Sequence, residues 1–330
     1  MDYHLSEQWK SLMDQAIETI SEAKTIAISG HVNPDGDCLG AITGLGKALQ
    51  YAGKQVDLFA SEKPRHYFYL PGIENISTSI PDKDYDLFIL VDLGDRPRMG
   101  DAVQAFNRSK TSICFDHHMT NERICDQNLV FKDACSTCEL LGIFLNYWDP
   151  SLIRSDVATS LYAGIITDSN RFLYDTARAR AMRVASDLID AGADVNLIYL
   201  REFQSADRNM LLFQGDILRS TEMLADGKIA LARISLKKIH EYHLPMSEAE
   251  GVVDLLRSMD GVEIAVILKE KEANLQKISF RSKEFFNVAE LAKKFDGGGH
   301  WKASGGSIHD SFDVAYDQLR SVLKDIVWTT

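Results

Sequence analysis

The sequence predicts an α/β protein of two domains, a parallel sheet covered by helices followed by a smaller α/β domain. Three observations carry this. From Thr25 onward, short apolar runs alternate with amphipathic stretches, the pattern of strands connected by helices. Several of the apolar runs end in turns rich in acids or histidine. After a polar, helix-compatible stretch at 194–221, a second set of strand-like runs begins. At 330 residues the chain is long enough for two cores. The expected division is 1–193 for the first domain, 194–221 for a helical connector and 222–330 for the second.

Residues 25–29, 55–59, 87–92 and 112–115 read as the first strands, each followed by turn residues or a helix-like stretch. Helices are expected at 135–148, 156–166 and about 177–191. In the second domain, strands are expected at 228–235, 262–269 and 276–281, with a helix at 247–259 and a charged turn at 269–274. A helix at 288–295, the glycine run Gly297-Gly298-Gly299 with His300, and a terminal helix from about 312 to 327 complete the chain.

Composition narrows the function. With 45% hydrophobic and 25% charged residues the chain has ordinary globular proportions. No apolar run approaches the about 20 residues that a spanning helix needs. The opening Met1-Asp2-Tyr3-His4 has no basic stretch leading into an apolar core, so a cytoplasmic location without membrane contact is expected. The five cysteines show no disulfide spacing, and Cys135-x-x-Cys138 lacks the two further soft ligands of a zinc site, so packing is its expected role. A net charge of −12 argues against a surface that coats long nucleic acid. A phosphate-bearing substrate would be small, its charge met by bound metal and a few local cations.

The chemistry-bearing residues lie at element ends. In open parallel sheets ligands bind beyond the carboxyl ends of the strands. His31-Val32-Asn33-Pro34-Asp35-Gly36-Asp37 follows the first strand, and Pro34 and Gly36 bend it so that His31, Asp35 and Asp37 can face one volume. Asp92 ends an apolar strand in Val91-Asp92-Leu93-Gly94-Asp95, and Asp116-His117-His118 ends another. Asp168 follows the apolar segment 161–166. Singly, the first cluster reads equally as an ordinary turn, Asp92 reads better as a turn or cap residue than as a ligand, and Asp168 has capping as its plain alternative. Adjacent histidines at a strand end favour metal binding more directly. Four such clusters in one domain, with carboxylate and imidazole donors and no thiolate, point to a pair of hard or borderline divalent ions, Mn²⁺ or Mg²⁺.

This motif order strongly resembles the DHH phosphoesterase superfamily. The later run Phe280-Arg281-Ser282, Gly297-Gly298-Gly299-His300 and Ala303-Ser304-Gly305-Gly306 resembles its DHHA1 domain, so the resemblance covers nearly the whole chain. The compact length is similar to a branch of oligoribonucleases that also dephosphorylate pAp. The resemblance implies that His31 and Asp35 bind one metal, that Asp37, His117 and Asp168 bind the other, and that Asp92 bridges them. It implies that His118 faces substrate or water, that Asp116 orients a histidine, and that Arg281, Ser282, Gly298, Gly299 and His300 grip a terminal phosphate in a cleft between the domains. The implied substrates are short RNA oligonucleotides or phosphorylated nucleotides, and a homodimer is allowed. Pyrophosphate or polyphosphate hydrolysis and a non-catalytic nucleotide-binding regulator are the alternatives. Phe285, Phe286 and Trp301, near the grip, offer modest support for base stacking. Two positions depart from the family pattern: Asp296 stands where a glycine commonly opens the run, and Asn170 where a glycine often follows the fourth motif.

Overall fold

Short apolar runs bounded by turn residues form the central strands. The computed structural model describes residues 3, 5–173, 178–245 and 251–328, and the chain divides into two units, Met1–Ser205 and Ala206–Thr330. The division falls inside the stretch expected to connect the domains.

The first unit runs α1 (Glu7–Glu22), β1 (Thr25–Ser29), α2 (Gly36–Tyr51), β2 (Gln55–Phe59), β3 (Ile76–Ser77), β4 (Tyr85–Val91), α3 (Val103–Asn107), β5 (Ser109–Asp116), β6 (Gln127–Val130), α4 (Thr137–Trp148), α5 (Ser155–Asp168), α6 (Arg178–Asp190) and α7 (Val195–Phe203). Its six strands pair in parallel in the order β3-β2-β1-β4-β5-β6. The period-two alternation of strands sends Ile26, Ile28, Leu87, Ile89, Val91, Ile113 and Phe115 into the layer of α1, α2, α4 and α5. Ala27, Phe88, Leu90 and Cys114 face the opposite layer with Met99, Ala102 and Ala105. Helix α2 is buried from Gly36 to Leu45 without a break, so it lies inside the unit and carries no polar face. The chain order reverses between β1 and β4, which makes their adjacent carboxyl ends the topological switch point of the sheet.

The second unit comprises α8 (Arg208–Ser220), β7 (Glu222–Leu224), β8 (Ile229–Ile234), α9 (Leu236–Glu241), α10 (Val252–Arg257), β9 (Ile264–Glu272), β10 (Leu275–Ser282), α11 (Val288–Ala292), β11 (Gly298–His300), β12 (Ala303–Ile308) and α12 (Phe312–Lys324). Its strand order is β11-β12-β10-β9-β8-β7, with β8 and β9 parallel and the other pairs antiparallel. Leu231, Val266, Ile278 and Phe280 pack under α11 and α12. Ala230, Ala232, Ala265 and Ile267 pack on the other face with residues of α8, α9 and α10.

The expected elements differ from these in identifiable ways. Strand β9 continues through the charged residues to Glu272, so the turn is shorter than 269–274. The helix expected at 247–259 is described only as Val252–Arg257, its first part lying outside the described residues. The glycine run, to which the sequence assigns no element, contributes Gly298 and Gly299 to the edge strand β11. No helix among the described residues is long and apolar enough to cross a membrane. All five cysteines are free and buried, as packing residues should be.

Candidate metal centre and phosphate grip

At the switch point, the residues that leave β1 and β4 meet. His31 Nε2 lies 3.3 Å from Asp92 Oδ2, and His117 Nε2 lies 3.5 Å from Asp92 Oδ1. The two oxygens of one carboxylate therefore face two imidazoles. His31 Nε2 is also 3.8 Å from Asp35 Oδ1, while His117 Nε2 is 3.4 Å from Asp168 Oδ2 and 4.0 Å from Asp37 Oδ2. All six of His31, Asp35, Asp37, Asp92, His117 and Asp168 are thus drawn into one cluster.

Local structure explains each placement. Asp35 is the N-cap of α2, its Oδ1 accepting from the amides of Asp37 and Cys38, which turns Asp37 inward on the first helical turn. Asp37 in turn accepts from the Thr137 amide at 2.7 Å and the Cys138 amide at 3.0 Å, so the start of α4 points its free N–H groups at a buried carboxylate. Gly164 lets α5 pass beside it: a Cβ there would stand 2.8 Å from Asp37 Oδ1. Asp92 has φ of 54°, the left-handed region, and its amide donates to Phe115 O at 3.0 Å. Asp168 is the last residue of α5, where a carboxylate opposes the helix dipole. Asn170, Arg171 and Phe172, with φ of 47°, 61° and 62°, follow immediately. A helix end that disfavours its acid, followed by backbone in a costly region, is characteristic of functional sites.

Asp116 is fully buried and holds His118 Nδ1 at 2.6 Å through Oδ1, while its Oδ2 accepts from Asn121 at 2.6 Å. Asp116 thus orients His118, the most exposed of the three histidines. Asp95 accepts from the Arg98 amide and serves as a cap.

Electrostatics within the cluster are tightly linked. Burial works to lower the His31 pKa, but hydrogen bonds to Asp35 and Asp92 prevail and lift it to about 10. His117 is likewise disfavoured by burial, yet Asp92, Asp37 and Asp168 raise it to about 10. Burial would raise Asp92, but His117 and His31 hold it well below the usual carboxylate range. Burial and the charge of Asp92 push Asp37 up to about 7, and burial and the charge of Asp37 raise Asp168. The hydrogen bond that His118 Nδ1 donates to the Asp116 carboxylate raises the His118 pKa.

Three groups of side chains are placed to hold a metal ion, with donor atoms within 4.8 Å of one another: Asp37, His117 and Asp168; Asp92, His117 and His118; and His31, Cys38 and Asp92. The imidazole and carboxylate donors fit hard or borderline divalent cations. Sequence reasoning missed Cys38, whose thiol is pushed well above its usual pKa by burial and the nearby carboxylates. It also missed Thr137, whose amide binds Asp37 and whose hydroxyl donates to Asp92 Oδ1 at 3.1 Å. The legible signal was Ser136-x-x-Glu139, the sequence pattern of a helix start, in which Ser136 accepts from the Glu139 amide and marks where the α4 amides begin.

In the second unit, cross-strand register sets Arg281 opposite Ala303, and Ala303 opposite His300. Arg281 and His300 therefore share a face across a small residue. Gly297 approaches β12 so closely that a Cβ would stand 2.0 Å from Gly305 O. Asp296 has φ of 48°, which explains the departure noted above: the place where the family commonly has glycine is a left-handed position, and Asp is among the few other residues that tolerate it. Asn170 at φ of 47° fits the same account. Ser282 is not brought to the Arg281 face; it is buried, and its hydroxyl donates to Trp301 O at 3.5 Å. Phe285 and Trp301 are exposed, and the amides of Glu284, Phe285 and Phe286 all donate to the buried Glu263 carboxylate, which fixes the loop that presents Phe285.

Two family models match this chain, the DHH family N-terminal domain over residues 25–165 and the DHHA1 domain over residues 226–329. The chain belongs to the DHH family. The probable bifunctional oligoribonuclease and PAP phosphatase NrnA of Streptococcus mutans serotype c is 28% identical, covering 91% of this chain and 95% of that protein. The Bacillus subtilis (strain 168) bifunctional oligoribonuclease and PAP phosphatase NrnA is 25% identical, with 94% and 96% covered. Among solved structures, an exopolyphosphatase-related protein from Bacteroides fragilis superposes with a TM-score of 0.84 at 25% identity, covering 96% of this chain and 98% of that one. The DHH match spans the strands and motifs of the metal cluster up to α5, and the DHHA1 match contains Arg281 and His300.

Proposed function

We propose that this DHH protein is a phosphoesterase that uses two divalent cations, Mn²⁺ foremost, to hydrolyse short oligoribonucleotides to mononucleotides, and that it also acts on pAp. The observation that carries this is Asp92 facing His31 with one oxygen and His117 with the other, with Asp35, Asp37 and Asp168 around them. The similarity to curated oligoribonuclease and PAP phosphatase relatives over most of the chain supports the substrate class.

In this reading His31, Asp35 and Asp92 would hold one cation, and Asp37, His117 and Asp168, with Asp92, would hold the other. When bound, such a pair supplies Lewis-acid charge that activates water and offsets charge on the phosphoryl oxygens. The chain's own residues do the rest. Thr137 fixes the orientations of Asp37 and Asp92. His118, its pKa raised by the hydrogen bond to Asp116, would offer Nε2 as the donor for the leaving ribose oxygen. In the second domain, Arg281 offers a planar fork to a terminal phosphate, with His300 on the same face and the amides of Gly298 and Gly299 in the exposed edge strand beside it.

Thr137→Val keeps the amide but removes the hydroxyl. We expect it to weaken divalent-metal binding by about 10- to 100-fold, as loss of a ligand's supporting hydrogen bond does, with Thr137→Ser restoring most of it. Isothermal titration with Mn²⁺ measures both, and equal affinity in the Val variant would deny Thr137 this role.

The proposal as a whole is tested with a labelled RNA dinucleotide, pAp, pyrophosphate, polyphosphate and a long single strand, each with Mn²⁺ and with chelator. Metal-dependent cleavage of the dinucleotide and pAp, with little on the others, is expected. Preferential cleavage of pyrophosphate or polyphosphate would overturn the substrate assignment.

A further inference from the structure

Arg281 does not stand alone on its face of the sheet. It pairs with Ala265 of β9, and Ala265 belongs to the layer packed with α10. That helix carries Asp254 and Arg257. Arg257 Nη2 lies 2.9 Å from Asp254 Oδ1, and Arg281 Nε lies 3.8 Å from the same oxygen. Neither arginine meets another carboxylate among the described residues. The Arg257 and Arg281 side chains are only 19% and 28% exposed, whereas the Asp254 side chain between them is 46% exposed. Among the described residues, two sheltered guanidinium groups thus share one more exposed carboxylate.

A carboxylate held between two arginines occupies the position that a phosphate would take, since both anions accept from guanidinium donors in the same way. Residues beyond it complete a place for a ligand. Ala303 separates Arg281 from His300 by two strand spacings, roughly 10 Å, and forms a low floor between them.

Building on the reading of this domain as a phosphate grip, we propose that Arg257 and Arg281 form a two-arginine seat for the terminal phosphate monoester of the substrate. Asp254 fills that seat in the ligand-free chain and is displaced when the phosphate arrives. Displacement gives the seat its selectivity. A singly charged diester or a hydroxyl end replaces Asp254 with nothing stronger, while a doubly charged monoester brings the two arginines more charge than the Asp254 carboxylate does. Asp254 therefore acts as an internal competitor, raising the discrimination in favour of phosphorylated ends.

The test uses the full chain in chelator, so that nothing is cleaved, and compares equilibrium binding of pApA and of ApA, which lacks the terminal phosphate. Asp254→Asn removes the competing charge and should tighten pApA binding by roughly threefold to tenfold, less at high salt, while leaving ApA unchanged. Arg257→Gln should weaken pApA and shrink the pApA-to-ApA ratio, with Arg257→Lys intermediate because it keeps charge without the fork. If Asp254→Asn weakens pApA or leaves it unchanged, Asp254 orients the arginines instead of competing, and the inference fails. In that case a reduced pApA-to-ApA ratio in Arg281→Ala would leave the phosphate-grip reading standing. An unchanged ratio in Arg281→Ala would bring down both.

Discussion

Asp92→Asn should reduce metal-dependent hydrolysis of an RNA dinucleotide by on the order of a thousandfold or more, because it removes the one carboxylate that faces both histidines. Asparagine is the informative replacement. Asp92 sits in the left-handed backbone region, which asparagine tolerates more readily than alanine. The hydrogen bond that the backbone N–H of residue 92 donates to Phe115 O is kept, and the side-chain amide oxygen can still accept from Thr137. A loss of activity with an unchanged far-ultraviolet circular dichroism spectrum then reports on charge alone. Metal content should fall together with activity, from about two ions per chain to one or none. Full activity in this variant would remove Asp92 from the site, and retained stoichiometry with lost activity would place its role in catalysis without metal binding.

Much of the site was legible because its residues follow strands whose apolar character is unmistakable. Strands β1 and β2 match expectation residue for residue, and His31 and Asp92 stand where their strands end. Strands β4 and β5 begin earlier than expected because Tyr85, Asp86 and Ser109–Thr111 are partly polar, yet still pair along the ladder. Edge strands β3 and β6 went unread: two and four residues, half of them incompletely buried, carry too little periodicity. Roles that depend on convergence in space left no local signal. Thr137 looks like an ordinary first-turn residue, and only the fold brings it against acids from α2 and β4. Arg257 and Asp254 read as a commonplace pair three apart on a helix, and only β10 supplies the second arginine. Conversely, Asp296 and Asn170 were visible as departures from a family pattern, but their meaning lay in φ, which no composition reveals.

The raised pKa values of the cluster should make metal binding and stability respond to pH in opposite directions. The side chains by themselves keep His31 and His117 protonated to about pH 10 and Asp37 to about pH 7. Each must lose its proton to act as a ligand, so binding expels protons and affinity rises with pH. The slope of log affinity against pH should be on the order of two between pH 7.5 and 9.5 and steeper below 7, as Asp37 joins. Stability without metal has the other sign. Histidines whose folded pKa lies above the unfolded value of about 6.5 stabilise the fold fully below that pH, and the contribution is lost as pH rises toward 10. Asp37, also raised, binds its proton more tightly when folded and so costs stability as pH climbs from about 4 to 7. Asp92 is shifted downward, so its contribution is lost only in stronger acid and does not offset this trend. Chelator-treated protein should therefore melt at progressively lower temperature from pH 5 to 9, while the increase in melting temperature produced by saturating Mn²⁺ grows over the same range. Thermal scans with and without Mn²⁺, paired with titration calorimetry in buffers of different ionisation enthalpy, measure the proton count directly. A metal-induced stabilisation that is flat with pH, with no buffer dependence, would mean that these imidazoles and carboxylates do not receive the metal.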